Sequence, residues 1–232
     1  MRRTIRLLAC CLCVALGTAA PAWAQGTTPK PQPARPPAQR PLAKPAKQLF
    51  RAYGLIDWTA MSASQSFEAV LGSSSLMGFG AGVEALDLWQ RVFARVTFSF
   101  RGDSGTRVIV AEGQVVDLGV PVEVNLNDIS VGAGWRQPVH RRVTAYGGAA
   151  WVRQGYSEKS SFSTNQDSSV GFSGTSIFGG AEVPLSKWLI AGAEVEWRSV
   201  PDALGDFTSA SKAFGETNLG GTALRVIVGI RK

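Results

Sequence analysis

The chain has 232 residues and a formal charge of +7, but residues 1–48 hold eight of its 24 Lys and Arg and none of its 17 Asp and Glu, so the remainder is near neutral, with 16 bases against 17 acids. A nucleic-acid role argued from overall basicity therefore has no footing in residues 49–232. All three cysteines (Cys10, Cys11, Cys13) lie near the start, which excludes disulfides, thiolate catalysis and cysteine-ligated metals from the rest of the chain.

Residues 1–24 have the form of a secretory signal peptide. Arg2, Arg3 and Arg6 precede an apolar run from Leu7 to Leu16, and Ala22-Trp23-Ala24 supplies the small-residue cleavage site. The run is too short to span a membrane as a helix. Residues 25–48 alternate Pro with Lys, Arg, Gln and Ala. Proline fixes φ and removes donors, and there is little apolar surface to bury. This stretch is expected to be a disordered, extended tether. Its cations are candidates for weak contacts with peptidoglycan carboxylates or anionic lipid heads, each lost in salt.

Residues 49–232 read as eight strands. They are expected near 50–60, 77–85, 91–101, 122–136, 143–154, 175–183, 189–198 and 219–230. The seventh is the clearest: Leu189, Ala191, Ala193, Val195 and Trp197 share one face, and Ile190, Gly192, Glu194, Glu196 and Arg198 the other. The third sets Val92, Ala94, Val96, Phe98 and Phe100 against Arg91, Arg95, Thr97, Ser99 and Arg101. In the fourth, Val122, Val124 and Leu126 are out of phase with Ile129, Val131, Ala133 and Trp135, which predicts a bulge near Asn127 or Asp128. Short turns are expected near 86–90, 137–142 and 184–187. Long polar loops are expected near 62–76, 102–121, 155–174 and 199–218, the second of which contains a possible hairpin around Ala111-Glu112-Gly113.

Alternating turn and loop lengths are the pattern of a transmembrane barrel with its long loops outside the cell. Six tryptophans agree with it. Trp89, Trp135 and Trp188 fall at short-turn ends, and Trp58, Trp151 and Trp197 at long-loop ends, as two rings of interfacial aromatics would. The expected fold is therefore all-β: an eight-stranded antiparallel up-and-down transmembrane β-barrel (49–232) behind a signal peptide (1–24) and a disordered Pro-rich linker (25–48).

The polar strand faces carry Glu84, Arg91, Arg95, Glu182, Glu194, Glu196, Arg198 and Arg225. In a narrow barrel these acids and arginines are expected to pair into a network that fills the lumen, because an unpaired buried charge is costly. A gated ion path is the functional alternative. No catalytic residue is singled out. His140, the one histidine, sits in a predicted short turn beside Arg141 and Arg142, and one His without Cys cannot make a closed nitrogen/sulfur metal site. No cofactor is expected. Arg101-Gly102-Asp103 spells an integrin-binding tripeptide, though Gly-Asp-Ser-Gly is ordinary turn chemistry.

The signal peptide, the eight alternating strands and the Gly and aromatic usage resemble the small outer-membrane β-barrels of the OmpA/OmpX type, over about Phe50 to Lys232. The resemblance implies a membrane-spanning barrel with both termini in the periplasm and a structural, adhesive or interaction role. It implies such roles more often than catalysis, and outer-membrane lipid is the expected partner. Such barrels usually end in an aromatic residue, whereas this sequence ends Gly229-Ile230-Arg231-Lys232. Lipid-modifying barrels of similar size rely on a histidine near the outer leaflet, and His140 falls at the other end. Two further readings stay open: a narrow ion-conducting pore, and a soluble periplasmic calycin-like barrel around a small apolar ligand.

Overall fold

The computed structural model describes residues 50–231 apart from 112–113, 161–167 and 204–208. The expected signal peptide and linker lie outside the described residues. The elements are β1 (Phe50–Met61), α1 (Ser64–Leu71), β2 (Ser75–Trp89), β3 (Val92–Ala111), β4 (Gln114–His140), β5 (Val143–Ser160), β6 (Ser168–Pro184), β7 (Leu189–Ser199), α2 (Ser209–Phe214) and β8 (Gly221–Arg231). Each strand pairs antiparallel with the next, and β8 pairs with β1, so the sheet closes with no free edge within the ring.

The period-2 alternation of β1 shows how the sequence sets the two surfaces. Arg51, Tyr53, Leu55, Asp57, Thr59 and Met61 are buried in the interior, while Phe50, Ile56 and Trp58 stand outward, 67%, 43% and 45% exposed. The same inversion runs round the ring. Val96, Phe98, Ile129, Val131, Val195, Val226 and Val228 are exposed, and Glu84, Arg95, Asp128, Glu194, Glu196 and Arg225 are buried. Small residues make room inside. A Cβ on Gly78 would run into Arg101 and Asp57, and one on Gly82 into the Tyr53 ring.

Five strands are clearly longer than the sequence pattern indicates, β2 with 15 residues among them. β3 has 20 residues, β4 27, β5 18 and β6 17. The expected polar loop at 102–121 is mostly a continuation of β3 and β4, paired to Ala111 opposite Gln114. The expected bulge near Asn127 or Asp128 is absent. Both ladders of β4 run unbroken there, and Val122, Val124, Leu126, Asp128 and Ser130 all face inward. What changes along β4 is the surroundings. Near Leu126 the interior turns apolar, and Glu123, Asn125 and Asn127 point outward, so the same parity carries the opposite chemistry.

The β2–β3 connection is a two-residue turn, Gln90-Arg91, with both φ angles positive (43° and 78°). A type I′ turn needs this geometry, for which Asn-Gly is the unstrained choice. Two ordinary side chains there cost on the order of 1–2 kcal/mol each. The expected polar loops at 62–76 and 199–218 hold α1 and α2. Phe67, Val70 and Leu71 follow helical spacing, a signal that could have predicted α1. Gly72 ends α1 at φ 72°, where its N–H donates to the Glu68 carbonyl at 2.9 Å.

Candidate functional site

The lumen is filled by ion pairs. Six arginines (Arg51, Arg95, Arg101, Arg136, Arg198, Arg225) meet six carboxylates (Asp57, Glu84, Asp128, Glu182, Glu194, Glu196). They fall into two groups, each neutral. Toward the short-turn end, Arg51 bridges Glu84 and Glu182, and Arg136 also holds Glu182. Further along the axis, Arg95 meets Glu194 at 2.7 Å, and Arg225 reaches Glu194 at 3.1 Å, Asp57 at 3.7 Å and Glu196. Arg101 holds Asp57 at 2.6 Å and also Asp128, which Arg198 shares at 2.5 Å.

Aromatic rings join the two groups. Arg51 lies 5.7 and 6.0 Å from the Tyr53 and Tyr146 ring centroids, and Arg95 lies 3.2 Å from that of Phe178. Phe93 packs 6.2 Å from both Tyr146 and Phe178. A void of about 10 Å³ beside Thr59, Arg101, Gln154, Glu196 and Arg198 has room for roughly one water molecule. A larger open cavity, about 400 Å³, lies at the short-turn end against Arg136 and Glu182.

Of the residues expected in this network, Glu84, Arg95, Glu182, Glu194, Glu196, Arg198 and Arg225 lie in it. Arg91 does not. The positive φ of the turn swings it out of strand parity, and its exposed guanidinium holds the Gln137 amide oxygen instead. Arg51, Asp57, Arg101, Asp128 and Arg136 also belong to the network, and of these the strand alternation had placed only Arg101 on a polar face. Arg101 is thus buried and ion-paired while Asp103 is exposed, so Arg101-Gly102-Asp103 is not presented as a tripeptide.

An apolar plug closes the long-loop end. Phe67 of α1 packs with Met61, Leu76, Val124, Leu126, Tyr156, Val200 and Leu219, and Val70, Leu71 and Phe172 flank them. The plug is held by a contact far apart in sequence. The Glu216 carboxylate accepts the backbone N–H of Gln65 at 3.0 Å, and the N–H and hydroxyl of Ser66 at 2.8 and 2.6 Å. It satisfies the orphan donors at the start of α1, and its charge suits the positive end of the helix. No side chain within α1's own entry makes that cap. Glu216→Ala is expected to lower the local stability of the plug by about 1–2 kcal/mol. Faster amide hydrogen exchange in residues 64–71, with strand exchange unchanged, would show it.

The six tryptophans among the described residues point outward, between 45% and 72% exposed. Trp89, Trp135 and Trp188 lie at the short-turn end, with Leu88, Val139 and Leu185 exposed beside them. Trp58, Trp151 and Trp197 lie toward the long loops. Beyond them β3 to β6 continue as a sheet. Its hairpin tip exposes Ile109, Val116 and Leu118 on one face, 45%, 47% and 44%, with Ile109 directly opposite Val116. His140 is exposed at the end of β4. Among the described residues, no three His, Cys, Asp or Glu are grouped to hold a metal ion.

The chain matches no protein-family model and no curated protein sequence. Among solved structures it is similar to Neisserial surface protein A, at 13% identity over 78% of this chain and 95% of that one, TM-score 0.49. It is also similar to the N-terminal β-barrel domain of Pseudomonas aeruginosa OprF, at 12% identity over 80% and 98%, TM-score 0.46. A third is Ail, the attachment invasion locus protein of Yersinia pestis, solved with the heparin analogue sucrose octasulfate, at 10% identity over 80% and 100%, TM-score 0.47.

Proposed function

We propose that the chain is an outer-membrane β-barrel with a closed lumen, acting at the cell surface through its extended outer sheet rather than by conduction or catalysis. The observation that carries this is the inversion of the wall: charged side chains are buried inside and large apolar ones stand outside. Water would penalise such an exterior, and a hydrocarbon layer would not. The height fits as well. Trp188 and Trp197 bracket β7 nine residue steps apart, about 30 Å along a strand. At a tilt near 40° that spans about 23 Å, close to the ~25 Å apolar band of such barrels. A soluble calycin-like barrel would need the opposite arrangement, apolar inside and polar outside.

With short turns in the periplasm and long loops outside, the β3–β4 hairpin stands clear of the membrane and offers an exposed apolar face to a partner. The basic stretch 25–48 adds weak periplasmic contacts of its own with anionic lipid or peptidoglycan. The test is outer-membrane fractionation, gel mobility before and after boiling, and conductance in planar bilayers. A heat-shifted outer-membrane protein that stays electrically silent is the expected result. A soluble periplasmic chain with no heat shift would overturn the membrane assignment. Steady single-channel currents would overturn the closed lumen.

A further inference from the structure

The near neutrality of the barrel region conceals a separation of charge. The interior is balanced, six against six. At the long-loop end, the described residues include seven acids (Glu68, Asp103, Asp117, Glu123, Glu158, Asp202, Glu216) and four bases (Arg107, Arg153, Lys159, Lys212). At the short-turn end the described turns carry Arg91, Arg141, Arg142 and Lys187, all exposed, against Asp87. β1 begins and β8 ends at that same end, with Arg231 the last residue of β8.

Two of these bases, Arg91 and Lys187, sit close to tryptophans of the short-turn end. Arg91 is two residues from Trp89 and is tied to β4, through its carbonyl to the Arg136 N–H at 3.0 Å and through its guanidinium to Gln137. Lys187 is adjacent to Trp188. An aromatic belt fixes its neighbours at headgroup depth, where a cation meets phosphate in water of reduced dielectric. Arg91 holds that place at the expense of a left-handed backbone conformation that glycine would adopt without strain.

We propose that the short-turn end is an electrostatic docking surface for the anionic phospholipid headgroups of the leaflet it faces. Arg91, Arg141, Arg142 and Lys187 supply the charge around the ring of Trp89, Trp135 and Trp188. The proposal rests on the membrane assignment made above, and the long-loop end, acidic by excess, lacks this preference. The surface selects phosphate-bearing lipids of net negative charge over zwitterionic ones and biases the barrel's orientation between leaflets.

The test uses the full chain, with Trp23, Trp58, Trp151 and Trp197 changed to Phe so that fluorescence reports the short-turn ring. It is refolded into phosphatidylcholine vesicles containing brominated phosphatidylglycerol or brominated phosphatidylcholine. Heat-shifted mobility in both vesicles establishes insertion independently of lipid preference. The expected result is preferential quenching by the brominated anionic lipid, a relative binding constant on the order of tenfold at low salt, falling toward one at high salt. Arg91→Gly together with Arg141→Gln and Arg142→Gln is expected to abolish the preference while insertion persists. Arg91→Gly relaxes the turn, so loss of preference in that background is not loss of fold.

Equal quenching by the two lipids in the inserted protein would overturn the proposal, as would a preference that survives the triple variant. Equal quenching combined with arginine-dependent co-sedimentation with peptidoglycan would overturn it in favour of a cell-wall carboxylate partner. Failure to insert at all would instead remove the membrane assignment beneath it.

Discussion

Arg225→Met is expected to cost the barrel about 3–5 kcal/mol. Arg225 is about 1% exposed and faces Glu194, Glu196 and Asp57 together. Removing it leaves three buried carboxylates sharing the remaining arginines, and breaking a buried pair strands an uncompensated charge. Urea unfolding in detergent micelles, followed by the loss of heat-shifted mobility, measures the cost. A variant as stable as the parent would mean that water already reaches these carboxylates. Replacing a whole neutral set by apolar residues of similar volume is a different experiment, and can be neutral or stabilising. The comparison separates the worth of the network from the penalty of damaging it.

Phe67→Ala is expected to destabilise the plug by about 3–5 kcal/mol without unfolding the barrel. Phe67 is 5% exposed and is the aromatic anchor of α1 among Met61, Leu76, Val200 and Leu219. Protease cleavage between 62 and 74 should accelerate sharply, while the boiled and unboiled mobilities still differ. Conductance should remain absent, because Arg101, Asp57, Asp128 and Arg198 still fill the lumen beneath the plug. Currents appearing in this variant would show that the plug, rather than the ion pairs, is what closes the barrel.

The alternation in β3 and β7 was readable from the sequence because each strand crosses one kind of surroundings along most of the wall. β4 was not. It passes from the apolar belt to the plugged outer end, so Leu126 and Asp128 share a face that is dry in both places but lined by different chemistry. Read against a single environment, that change imitates a bulge. The same assumption hid Asp128 from the charge network. Asp57 and Arg51 share parity in β1 with Tyr53 and Leu55, so their face looked mixed rather than polar. Arg91 shows the reverse limit. Its parity matches Arg95, but parity holds only inside a strand, and a turn with positive φ cancels it. The helices α1 and α2 were obscured by their polar neighbours, and Glu216, whose role depends on Ser66 150 residues away, carries no local signal at all.

The hairpin that rises from the wall has a mechanical consequence. From Phe100 to Ala111 is eleven steps of continuous strand, roughly 36 Å at ~3.3 Å per residue, more than the thickness of a bilayer's hydrocarbon core. No loop interrupts β3 over that length, and β4 pairs back down beside it apart from a bulge at Leu118, Gly119 and Val120, opposite Arg107. A pull on the tip therefore loads the β2–β3 and β4–β5 ladders lengthwise. Their hydrogen bonds bear the force side by side, in shear, rather than opening one after another. Whatever grips the tip is coupled stiffly to the wall, as though by a mast stepped into the hull.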